Sequence, residues 1–174
     1  ERVTINKANT LVEMGHEVAI VVTDHKDDAV FVQPLSEKVM FVDLKVGHWF
    51  GKKKWHSPIS KLYTHFIRLK KFVKEYLPDV IISVGQSEKQ LISLLQTKAV
   101  KIREIHFLST YRKYTYTKKW LAMILDFIDY KINIRGYDQI VLLTNEDYYE
   151  HWIKTKKKTT VIWNPLTIMP KQSN

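Results

Sequence analysis

Continuous apolar runs alternate with helical patterns along this chain, and that alternation limits the fold more than any other feature. Glu17-Val18-Ala19-Ile20-Val21-Val22-Thr23 is too apolar and too β-branched for a half-exposed strand. Val80-Ile81-Ile82-Ser83-Val84-Gly85, Ile140-Val141-Leu142-Leu143 and Thr160-Val161-Ile162-Trp163 read the same way, and a further strand is expected around Val100 to Phe107. Two shorter strands are expected at Val30-Phe31-Val32 and Val39-Met40-Phe41-Val42. Between these runs the apolar spacing becomes helical. Residues 3 to 14 repeat Val3, Ile5, Ala8, Leu11, Val12 and Met14, with Gly15 as the C-cap. From Pro58 to Leu77, Ile59, Leu62, Phe66, Leu69, Val73 and Tyr76 share one face, with Lys61, His65, Arg68 and Lys71 opposite and Pro78 ending the helix. Further helices are expected near 88–97, over 117–135 (core positions Leu121, Ile124, Leu125, Ile128 and Ile132) and over 145–153. Strands that are apolar on both faces belong to parallel sheets covered on both sides. The expected class is therefore α/β, a doubly wound, mainly parallel sheet with helices on both faces.

The unit opens on a helix, whereas a doubly wound sheet normally opens on a strand that feeds its first helix through a tight turn. A first strand and a Gly-rich turn are therefore expected upstream of Glu1. No apolar run reaches the roughly 18 residues of a membrane span, and the first residues show no signal-peptide pattern. The chain has no Cys, which excludes thiolate chemistry and disulfides.

Charge is concentrated. The formal net charge is +10, and Leu44 to Pro78 holds nine Lys or Arg against the single acid Glu75. So local a cluster suits an anionic partner (membrane lipid, nucleic acid or a phosphorylated substrate), or else a solvated basic face.

Several common chemistries leave no trace. There is no GxGxxG turn, no GxxxxGK[ST] loop, no HExxH pair, no Asp-x-Asp and no GxSxG elbow. Dinucleotide-dependent oxidoreductases, P-loop enzymes, zinc hydrolases and serine esterases are thus not expected, and neither a bound metal nor an organic cofactor is anticipated.

Six short segments, in order, carry a family resemblance. Glu1-Arg2-Val3 opens an amphipathic helix that ends in Met14-Gly15-His16-Glu17-Val18, and Leu77-Pro78-Asp79-Val80-Ile81-Ile82-Ser83 follows further on. Then come Lys101-Ile102-Arg103-Glu104-Ile105-His106, Tyr137-Asp138-Gln139-Ile140-Val141-Leu142-Leu143-Thr144-Asn145 and Val161-Ile162-Trp163-Asn164-Pro165-Leu166. This series resembles the N-terminal domain of GT-B glycosyltransferases of family 4, across nearly the whole chain. The resemblance implies a Rossmann-like acceptor-side domain over 1–163. Residues 164–174 would begin a hinge, at Asn164 and Pro165, to a second domain that binds the donor. It implies retaining, metal-independent transfer of a sugar from a nucleotide-sugar to a glycan or lipid-linked acceptor, in surface polysaccharide synthesis. It also implies a cytoplasmic location at the inner face of the membrane. The acids and basic pair that hold the donor belong to the second domain in that family, so this stretch alone is expected to be inactive.

The resemblance and the strand ends together select site candidates. His106 closes an apolar strand at the carboxyl edge, where ligands bind in open parallel sheets. The family makes it a residue beside the reacting hydroxyls, able to hydrogen-bond or accept a proton; the alternative is a structural His at a strand end. Gly85, Gln86, Glu104, Ser109 and Thr144 are acceptor-binding candidates on the same edge. Turn chemistry at Gly85 and Gln86, and an N-cap at Thr144, would serve equally well without a ligand. Because side chains alternate along a strand, at most one of Arg103 and Glu104 faces a cleft. Trp49, Lys52, Lys53, Lys54, Trp55, Arg68, Arg112 and Lys113 mix basic and aromatic character as headgroup-level membrane contacts do. Such a mix also suits single-stranded nucleic acid, but no nucleic-acid motif accompanies it and that partner is not expected. A non-catalytic binding module using this surface is the alternative to the enzyme.

Overall fold

The computed structural model describes residues 2–25, 31, 33–46, 58–85, 88–106, 133–145 and 158–163, together with 120, 124, 127 and 128. The chain divides into two compact units, Glu1–Tyr76 and Leu77–Asn174. Both are α/β with parallel strands.

In the first unit, helix α1 (Arg2–Glu13) buries Ile5 and Ala8. It ends as the sequence leads one to expect. Gly15 takes φ +90, the Gly15 amide donates to the Val12 carbonyl at 3.0 Å, and the His16 amide donates to Leu11 at 3.0 Å. That pair of bonds is the Schellman arrangement, which satisfies carbonyls left over at the helix end. The chain then enters β1 (Ala19–Val22), which pairs in parallel with β2 (Met40–Asp43), Ala19 opposite Met40 and Val22 opposite Asp43. The Asn9 side chain anchors the connection to α1: its amide donates to the Pro34 carbonyl at 3.0 Å and its oxygen accepts the Ser36 amide at 2.9 Å. Of the expected strand at 30–32, only Phe31 lies among the described residues, and it is not in a strand. It stacks on His25 at 5.4 Å and meets Phe41 edge-on at 5.2 Å.

Helix α2 (Pro58–Tyr76) forms where the periodicity places it, but its buried stripe is rotated from the expected one. His65, expected on the polar face, is 2% exposed, whereas Leu62, expected in the core, is 37% exposed. His65, Leu69 and Val73, spaced by four, make the inner line. The apolar count around this helix is high enough for two faces, so composition alone did not decide which one packs. Tyr63 and Ile67 are left on the outside.

The second unit is a four-stranded parallel sheet in the order β3-β4-β5-β6. Its strands are β3 (Val80–Ser83), β4 (Val100–Ile105), β5 (Gln139–Leu142) and β6 (Lys158–Val161). Helix α3 (Lys89–Leu94) lies between β3 and β4 in the chain, and a 3-10 turn (Asn133–Gly136) leads into β5. Ile105, Ile134, Ile140 and Leu142 form the core on one face, with Val161 against them. Gly136 lets the turn close on α3, because a Cβ there would stand 2.2 Å from the Ser93 carbonyl oxygen. The Tyr137 hydroxyl donates to the Lys89 carbonyl at 2.6 Å, and Lys101 Nζ donates to the carbonyl of Leu95, the residue after α3, at 3.0 Å. Asp138 locks the start of the β4–β5 pair: its carboxylate accepts the Lys101 amide and its own amide donates to the Lys101 carbonyl, both at 2.8 Å.

Three expectations shift here. β3 is at the edge of this sheet as described, and Val80 (48%) and Ile82 (36%) are exposed. The last strand sits two residues earlier than expected, so Ile162 and Trp163 are exposed past its end. The helix expected over 117–135 has a 3-10 turn at its end, and Ile124, expected in the core, is 47% exposed. The helix expected over 145–153 lies outside the described residues beyond Asn145.

Candidate functional site

Parallel strands direct all their carboxyl ends to one edge, so residues far apart in sequence gather there. Ser83 pairs with Arg103 and Ile105 pairs with Leu142. Gly85, His106 and Thr144 therefore follow the ends of three adjacent strands on the same edge. Glu104 and His106 stand two apart along β4 and share a face. Their side chains meet, with His106 Nε2 at 3.2 Å from Glu104 Oε2. Both are withdrawn from water, the imidazole at 17% exposure and the carboxylate at 8%. Arg103 and Ser83 lie on the opposite face, buried at 6% and 1%. Of the two neighbours, Glu104 is thus the one that joins His106.

Around the edge a second carboxylate organises the β3 turn. Glu88 Oε1 accepts the Gly85 amide at 2.5 Å and the Ser83 hydroxyl at 3.3 Å. A Cβ at Gly85 would lie 2.6 Å from Glu88 Oε2, so a side chain there would push the carboxylate out of the turn. Glu88 was not among the expected site residues. The signal for it was available: an acid three residues beyond a glycine that ends a strand, at the head of the next helix. Thr144 is half-buried and directly precedes a helical residue, Asn145.

An ionised carboxylate only accepts hydrogen bonds. Opposite an ionised Glu104, the neutral His106 ring carries its N–H at Nε2 and keeps the lone pair at Nδ1. This arrangement can accept a hydrogen bond from a hydroxyl.

Arg68 has a local task. Its Nη1 donates to the carbonyls of Leu44 at 2.6 Å and Lys45 at 2.7 Å, while the Lys45 amide donates to Asp43 Oδ1 at 2.8 Å. The guanidinium holds the turn after β2, where Lys45 adopts φ 50. Beside it a shallow groove of about 450 Å³ is lined by Asp43, Lys45, Lys71, Phe72 and Glu75, so both signs of charge face it.

Trp49, Lys52, Lys53, Lys54, Trp55, Gln86, Ser109, Arg112, Lys113, Asn164 and Pro165 lie outside the described residues. Among the described residues no cluster of three His, Asp or Glu could hold a metal ion. No described helix is long and apolar enough to cross a membrane. No family model and no curated protein sequence matches this chain.

Proposed function

We propose that this chain is the acceptor-side part of a retaining, metal-independent glycosyltransferase, a doubly wound GT-B half that binds a glycan or lipid-linked acceptor. The observation that carries the reading is the Glu104–His106 pair at the carboxyl edge of a parallel sheet. It supports the reading because sugar hydroxyls need hydrogen-bond acceptors held rigidly, and here a buried carboxylate fixes an imidazole at the edge where such folds take ligands. The ordered resemblance of six segments to family 4 adds the reaction class. The donor is a nucleotide-sugar, held mainly by a second domain, and no cofactor is required.

The same proposal places the chain on an anionic membrane surface, at the cytoplasmic face. Support comes from the outer side of α2, where exposed Tyr63 and Ile67 are interleaved with exposed Lys70, Lys71 and Lys74. Apolar side chains at headgroup depth with lysines beside them suit an interfacial helix. That face also favours a second reading, in which the chain is a non-catalytic module and the membrane is its only ligand.

The test is transfer by the natural full-length product. It is incubated with radiolabelled UDP- and GDP-sugars and bacterial lipid extract, with and without chelator. Labelled glycolipid formed in the presence of chelator, and lost in His106→Ala, is the expected result. Vesicle binding without transfer from any donor would leave only the second reading.

A further inference from the structure

The geometry points to Glu104 as a positioning residue: it locks His106 in the Nε2–H tautomer, so that Nδ1 is a fixed hydrogen-bond acceptor for a hydroxyl of the acceptor sugar. This rests on the glycosyltransferase reading for the identity of the hydroxyl, but not for the state of the ring. A neutral imidazole has one donor and one acceptor nitrogen, and nothing intrinsic to a solvated ring holds it to one arrangement. Here the choice is made by a carboxylate on the same strand, 3.2 Å away and almost fully buried. Spacing by two residues puts the pair on one face of β4. β4 is an inner strand, flanked by β3 and β5, so the backbone carrying Glu104 is held on both sides. The fixed partner is therefore the carboxylate, and the ring at the strand end adapts to it. In the neutral ring with Nε2–H engaged, only a donor can bind at Nδ1. A hydroxyl fits that requirement, and an anionic group such as a phosphate oxygen does not.

The experiment reads the ring directly. Long-range proton–nitrogen-15 correlation spectra of the full chain report the tautomer of each of the seven His, and His106→Gln assigns the signal. The wild-type ring is expected as Nε2–H at neutral pH. In Glu104→Gln, whose amide can donate or accept, the preference is expected to fall to a mixture. A wild-type ring in the Nδ1–H form, or a tautomer that Glu104→Gln leaves unmoved, overturns the proposal. If Glu104→Gln does not fold, the wild-type spectrum decides alone. In the full-length enzyme Glu104→Gln is expected to raise the acceptor KM about tenfold, the size of one charge-assisted hydrogen bond lost through its orienting partner, with the donor KM unchanged. An unmoved acceptor KM overturns hydroxyl recognition. Failure of the glycosyltransferase reading appears separately, as absence of turnover in the wild type.

Discussion

Replacing Gly136 by Ala is the sharpest structural perturbation the second unit offers. The added Cβ would meet the Ser93 carbonyl oxygen at 2.2 Å and the Ser93 Cα and Cβ at 2.6 Å. Two of those three atoms are backbone, so no rotamer change removes the overlap. Either the 3-10 turn Asn133–Gly136 deforms or α3 moves off it. Overpacking of this kind costs about 1–3 kcal/mol. Movement of α3 also stretches the Tyr137 hydroxyl bond to Lys89, which contributes about 1 kcal/mol more. The sum is a loss of about 2–4 kcal/mol. Because the chain has two compact units, a single melting midpoint is an ambiguous readout. Native-state hydrogen exchange at the β5 amides is the better assay, since opening of this unit exposes them. The expected drop in their opening free energy matches the sum above. Ser93→Gly on the Gly136→Ala background removes one of the three overlaps and should restore less than half of the loss. A change at β5 below about 0.5 kcal/mol, the noise of an ordinary surface substitution, would refute the packing argument.

Three further outcomes follow from other contacts. Asn9→Ala removes both hydrogen bonds that tie the Pro34–Ser36 segment to α1, and should destabilise the first unit by about 1–2 kcal/mol in urea unfolding. Burial, reinforced by the nearby Glu17 carboxylate, holds the Tyr76 phenol above its ordinary range. Ultraviolet titration against Tyr76→Phe should show it ionising later than a free tyrosine, and Glu17→Gln should bring it down. The folded state keeps that proton longer than the unfolded chain does, so the contribution to stability is full below pH about 10 and fades as pH rises through the folded pKa. Lys70→Glu with Lys74→Glu on the outer side of α2 should weaken binding to anionic vesicles by at least 30-fold, at about 1 kcal/mol per lysine removed from the surface. Co-sedimentation that ignores the pair would remove the membrane proposal.

Much of the fold was legible because two signals are local. Apolar, β-branched runs marked β1, β3 and β5, and glycine with helical periodicity marked the end of α1 at Gly15. Facing was harder to read. His65 is buried and Leu62 exposed because α2 has enough apolar positions for more than one stripe, and the choice depends on what packs against it. The end of β6 was misplaced because Val161-Ile162-Trp163 continues the apolar run past the residues that pair. The strand-end rule put His106, Gly85 and Thr144 at the carboxyl edge, and the register of the strands brings them there. It left Arg103 and Glu104 undecided, since alternation fixes only that they point apart. The pairing of Glu104 with His106 supplies the missing sign. Glu88 escaped notice because its part is played by a side chain folding back on the backbone of its own turn, a contact that no hydrophobic pattern encodes.

On the proposed function, the carboxyl edge of the four-stranded sheet receives a sugar acceptor. Amide shift mapping of the chain titrated with soluble methyl hexosides and short bacterial glycans tests it most directly. Saturable shifts are expected at Gly85, His106 and Thr144, with little change at Asp79, Lys101 and Asp138 on the opposite edge. Shifts confined to that opposite edge, or none with any sugar at millimolar concentration, would contradict it.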